Sequence, residues 1–216
     1  MAFDIHQQVL DRDGMPLEKK ARQYHDQLMQ LFGQSPEGQA LQQEGSDLGW
    51  ASMMLEFGVD YFGVTPPKMS PHNLSEILFD LFPRKVSTSA DEADDIVRTV
   101  QAFWKFMQRE FHLANAAACL KVLDDRAARE LKKKMSDPSS FGIAKSFVMM
   151  GKERGFDMTS EKGLNEWMAL YNAEIAASTG LRIPLPGEQS ESAKKFHSKL
   201  KGKKTRDSRL KNRRKK

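Results

Sequence analysis

One cysteine in 216 residues rules out an internal disulfide. Cys119 lies in the Ala-rich run from Ala114 to Leu120, where it reads as a small buried apolar residue. The chain is therefore not a stapled secreted scaffold, and a reducing compartment is the simplest setting. Long apolar runs are also scarce. The longest uncharged stretches, such as Phe111–Leu120, reach about half of the roughly 20 residues that span a bilayer. Met1–His6 offers no basic stretch followed by an apolar one, so neither a secretory leader nor a membrane span is expected.

Recognisable catalytic chemistry is missing as well. G-x-x-x-x-G-K-[ST], G-x-G-x-x-G, G-x-S-x-G, H-E-x-x-H and E-x-x-H are all absent, so nucleotide, hydrolase and zinc signatures have no carrier. The histidines, His6, His25, His72, His112 and His197, stand at no spacing that puts two ligands on one helix face, and they read as surface or helix-end residues. No metal, cofactor or catalytic residue is assigned. Asp94-Asp95 and Asp124-Asp125 read as charged surface, because adjacent helical positions face about 100° apart.

What is present is charge, unevenly distributed. The net charge of +5 averages a tail, Ala193–Lys216, with 13 Lys and Arg against Asp207 alone, and a preceding chain that sums to −7. Only the tail has the composition of a polyanion binder. Its few hydrophobes, Phe196, Leu200 and Leu210, cannot offset the entropy of ordering it, so disorder is expected there. The stretch 179–192, with Gly180, Pro184, Pro186 and Gly187, reads as a linker.

Residues 1–178 predict an all-α domain, an irregular bundle of about seven helices divisible near 83–89. The clearest segment runs from Ser89 to Phe111, where Ile96, Val97, Val100, Phe103, Trp104, Met107 and Phe111 form one stripe at 3.6 residues per turn. Phe106 lies off the centre of that stripe and is expected to meet a neighbouring helix or a partner. Helical patterns also cover Pro16–Gly33, a short piece after Ser35-Pro36, Asp47–Phe62, and Ser70-Pro71 to a stop at Pro83. They continue through Leu113–Met135, with Ala117, Leu120, Leu123, Ala127 and Leu131 inward, then from Ser139 or Ser140 to Gly151 or Gly155, and from Thr159 or Ser160 to Ile175. The chain's 39% hydrophobic content suffices for a core.

One weak anion site is suggested by Gly142-Ile143-Ala144-Lys145-Ser146 at a helix start, with Arg84 and Lys85 as further candidates. The plainer reading of that motif is a capped core helix with a solvated Lys145.

Three stretches together resemble an uncharacterised bacterial helical domain often found in proteins that carry a SEC-C zinc motif. They are Leu81-Phe82-Pro83-Arg84-Lys85-Val86-Ser87, Ala102-Phe103-Trp104-Lys105-Phe106, and Phe141–Ser146 with Gly155-Phe156-Asp157-Met158-Thr159. The resemblance covers about Ser35–Ala177 and implies a bacterial, cytoplasmic accessory protein with no assigned activity. The zinc motif needs at least three cysteines, and Cys119 stands alone.

The leading expectation is a non-catalytic helical adaptor whose tail contacts RNA, DNA or ribosomes through Lys194, Lys195, Lys203, Lys204, Arg206, Arg209, Arg213 and Arg214. The alternative is a protein-interaction module whose helical body grips an unknown protein partner while the tail keeps it soluble. An enzyme with a site built around Pro83-Arg84-Lys85 and Gly142–Ser146 is the third.

Overall fold

The structure is a computed structural model that describes residues 3–12 and 14–179. Among those residues every regular element is helical and none is a β-strand, and the one bridge between extended segments joins Leu10 to Pro16. The chain forms two compact units, Met1–Phe147 and Val148–Lys216. The 83–89 segment lies inside the first.

In that unit α1 (Glu18–Gln34), α2 (Pro36–Gln43) and α3 (Gly49–Phe62) are followed by a continuous helical run. The run comprises α4 (Pro71–Glu76), a π-helical segment (Ile77–Leu81) and α5 (Phe82–Lys85). Then come α6 (Ala93–Phe111), α7 (Ala116–Val122), α8 (Ala127–Ser136) and α9 (Ile143–Glu153), which carries the chain into the second unit and on to α10 (Glu161–Thr179). Counting the run through Lys85 as one helix, the described residues hold nine helices rather than about seven.

α6 is the centre of the first core. Ser89 caps the 3-10 turn that leads into it, accepting from the Asp91 amide at 3.2 Å. Asp94 and Asp95 occupy its first turn and Arg109 its last, each charge complementing the helix dipole. Ile96, Val97, Val100, Phe103, Trp104 and Met107 are buried as the stripe predicts, and Phe111 is partly covered. Phe106 is buried too, its ring 5.7 Å from that of Phe32 on α1, so the off-stripe residue does meet a neighbouring helix.

Two expectations need correction. The predicted helix over Leu113–Met135 is broken, because the Asp124 side chain accepts from the Arg126 amide at 2.9 Å and the Ala127 amide bonds the Asp124 carbonyl at 2.9 Å. This local turn competes with helix continuation. The helix before it, α7, starts at Ala116 rather than Leu113, and there Ala116 and Cys119 are buried while Ala117 is exposed. The second correction concerns Pro83, which does not end its helix. The π-helical segment preceding it uses i→i−5 bonding, with the Phe82 amide reaching the Ile77 carbonyl. That register absorbs the donor proline lacks, and the helix continues to Lys85.

In the second unit, Trp167 on α10 is fully buried, with the Phe156 and Tyr171 rings 5.5 and 5.4 Å away. Gly151 is required there, since a Cβ would lie 2.7 Å from Trp167 Cδ1 and would also strike Met158. Gly155, with φ of +85°, makes the left-handed stop after α9.

Candidate functional site

The two stretches proposed as an anion site do come together in the first unit, but as a helix cap. The α4–α5 run ends at Lys85, leaving its last carbonyls without helical donors. The Gly142 amide donates to the Arg84 carbonyl at 2.9 Å, and Lys145 Nζ to the Pro83 carbonyl at 2.8 Å. A Cβ at position 142 would lie 2.8 Å from that same Arg84 oxygen, so the approach is open only to glycine.

Lys145 is 1% exposed rather than solvated, and its ammonium sits 4.2 Å from the centroid of the Phe141 ring. Burial pushes it down to about 8. The other three candidates do not converge on it. Arg84 binds Asp80 at 3.0 Å, Lys85 lies 5.5 Å from the Tyr61 ring centroid, and Ser146 is half-buried with its amide on the Gly142 carbonyl. A lysine committed to the negative end of a helix is a cap and not an anion ligand.

The eight tail residues named above lie outside the described residues. Within the body, many basic side chains are held by acids. Arg109 forms a two-pronged bridge to Glu37 at 2.8 and 3.1 Å, holding that carboxyl below its ordinary range. Arg98 binds Asp95 at 2.9 Å and Glu44 at 3.2 Å, Lys132 binds Asp91 at 2.8 Å, and Arg154 binds Glu174. These pairs are exposed at one or both partners and add little stability each, but they leave less cationic surface to attract a phosphate.

Asp95 does more than the charged-surface reading assigned it. Besides binding Arg98, it accepts from the Asp47 amide at 3.2 Å and the Trp50 indole at 3.0 Å, fastening the start of α3 to the first turn of α6. Burial acts to raise its pKa, and these hydrogen bonds outweigh it, leaving the carboxyl below its ordinary range.

A cleft of about 460 Å³ opens between α1 and α3. Glu18, Ala21, Arg22 and His25 line it from one helix, and Leu55, Glu56, Val59 and Asp60 from the other. Both sets recur at one-turn spacing, so each helix presents one continuous face. Val9, Pro16, Tyr24 and Pro66 complete the lining. Tyr24 is buried, donates to the Ile5 carbonyl at 3.1 Å, and is shifted strongly upward by burial.

His25 was expected at a surface or helix end and instead lies within α1, half-buried, with Nε2 2.9 Å from Ser52 Oγ on α3 and 3.9 Å from Glu56. Asp26 lies 3.5 Å from the other ring nitrogen. Serine, histidine and aspartate thus stand in hydrolase-like order, but Ser52 is inside a helix whose amides already serve the backbone ladder, so no oxyanion donors surround it. The pair reads as a tie between helices. Sequence patterns missed this cleft because Glu18, Arg22, Glu56 and Asp60 look like solvated faces until α1 and α3 are opposed.

Among the described residues, no group of three or more His, Cys, Asp and Glu side chains is placed to hold a metal ion. No helix among them is long and apolar enough to cross a membrane. No family model, no curated protein and no solved structure matches the chain.

Proposed function

We propose that this protein is a non-catalytic helical adaptor that contacts RNA, DNA or the ribosome through its basic C-terminal segment, in a cytoplasmic setting. The observation that carries the reading is charge segregation: 13 bases and one acid in residues 193–216, after 192 residues that sum to −7. Cations at that density displace the counterions condensed on a nucleic acid and bind it without regard to sequence. The acidic body supports the same division of labour, since its ion pairs absorb many of the bases it has.

The protein-module alternative draws on Ile143, 89% exposed at the start of α9. A single exposed side chain is not a docking patch, so this reading stands second. Nucleic acid recovered with the full-length protein from a native lysate, with and without nuclease, tests the proposal. The wild-type chain is expected to retain nucleic acid that nuclease removes. A variant with Gln at Lys194, Lys195, Lys203, Lys204, Arg206, Arg209, Arg213 and Arg214 should retain little. Equal recovery by both chains would contradict it.

A further inference from the structure

The α1–α3 cleft is the strongest candidate for a second site, and it is independent of the tail. Its volume, about 460 Å³, lies in the range of small-molecule pockets. Its lining combines an apolar surface from Val9, Ala21, Leu55 and Val59 with charge from side chains on both helices.

The charge on α3 is placed against the helix's own interest. Glu56 and Asp60 are four residues apart on one face, a like-charge spacing that disfavours the helix by a few tenths of a kcal/mol. Asp60 also lies in the last turn, where the dipole favours a cation, and no base occupies that turn. Across the cleft Glu18 adds a third carboxylate, against the lining's one arginine, Arg22. Among the described residues neither Glu18 nor Asp60 has an ion-pair partner.

Carboxylates that oppose their own helix and an apolar wall beside them together fit a ligand with a cationic head on a hydrocarbon stem.

We infer that this cleft binds an alkylammonium or alkylguanidinium group, with Glu56 and Asp60 holding the cation and Val9, Leu55 and Val59 covering the stem. The cation relieves the repulsion built into the end of α3, and binding energy is gained where folding energy was forgone. Two sources share this chemistry, a free amine and an arginine side chain on a peptide.

The test titrates the full-length protein with agmatine and, separately, with acetyl-Ala-Arg-Ala-amide, following the His25 ring resonances by NMR. A saturable shift with either probe supports the assignment. Agmatine alone points to a free amine, and both together to an accessible arginine side chain. The Glu56→Gln, Asp60→Asn double variant should bind at least tenfold more weakly, about 1.4 kcal/mol, while its Tm stays level or rises. Should that variant fold poorly, Asp60→Asn alone is read by the same two measurements. A response that never saturates, undiminished binding in the variants, or a fall in Tm for Asp60→Asn would each overturn the inference.

Discussion

α6 and α3 pack against each other in the first unit and obey opposite rules. In α6 the apolar stripe, the capped lead-in turn, the acids at the start and the arginine at the end all favour the same helix. In α3 the Asp47 side chain accepts from the Gly49 amide at 2.7 Å at the start, but no acid sits in the first turn and no base in the last. Instead, Glu56 and Asp60 repel each other across one turn, and Asp60 stands at the end that least suits it. Agreement between local rules marks a helix that serves stability, and disagreement marks one whose surface answers to something else. The disagreement in α3 falls on the wall of the cleft.

The largest test of this contrast is at the heart of α6. Phe103 is fully buried, with its ring 5.3 Å from that of Phe32 and 6.2 Å from that of Trp104. Phe103→Ala should lower unfolding free energy by about 3–5 kcal/mol in denaturant titrations. A loss under about 1 kcal/mol would mean that α6 is not the central packing element.

Asp95 joins the two helices and gives the next effect. Asp95→Ala strands the Trp50 indole and the Asp47 amide, with an expected loss of about 2–3 kcal/mol. The pH dependence carries the same information. Because the folded carboxyl titrates below its unfolded value, its contribution is present above about pH 4 and is lost as pH falls through the folded value. The Asp95→Ala variant should show a shallower fall in stability over that acid range, and an unchanged profile would refute the assignment.

Lys145 sharpens the comparison from a third position, with the sign reversed. Its folded value, about 8, lies below the ordinary lysine value, so at pH values between the two the unfolded chain holds a proton that the folded chain has released. Stability from this group therefore rises with pH across roughly 8 to 10.5, and the neutral amine can still donate to the Pro83 carbonyl. Lys145→Met should remove that rise, by an amount on the order of 1–3 kcal/mol, measured by chemical denaturation at pH 8 and 10. The smallest effect belongs to α3, where Asp60→Asn should raise stability by about 0.3–0.5 kcal/mol.

These contrasts show what the sequence makes legible. The α6 stripe could be read directly because local signals and tertiary packing coincide there. The break between α7 and α8 was hidden, since Asp124-Asp125 reads equally well as exposed helix surface and as a turn. The stretches around Pro83 and Gly142 looked notable for their lysines and arginines. Their role is a cap, which becomes visible only once a carbonyl from one stretch faces an ammonium from the other. The cleft was the least legible feature, because its ligands-in-waiting are ordinary surface residues on two helices whose opposition no periodicity reports.

The tail differs from all of these in being argued from charge alone, and its salt dependence tests the central claim most directly. Affinity of the full-length chain for a short RNA or DNA duplex, measured across a range of salt concentrations, should fall linearly on logarithmic axes. Replacing the eight named tail cations by Gln should remove roughly 6–7 from the slope if all eight contact phosphate. A wild-type slope near zero, or one that survives the eight substitutions, would contradict the proposal that this protein reaches nucleic acid through its tail.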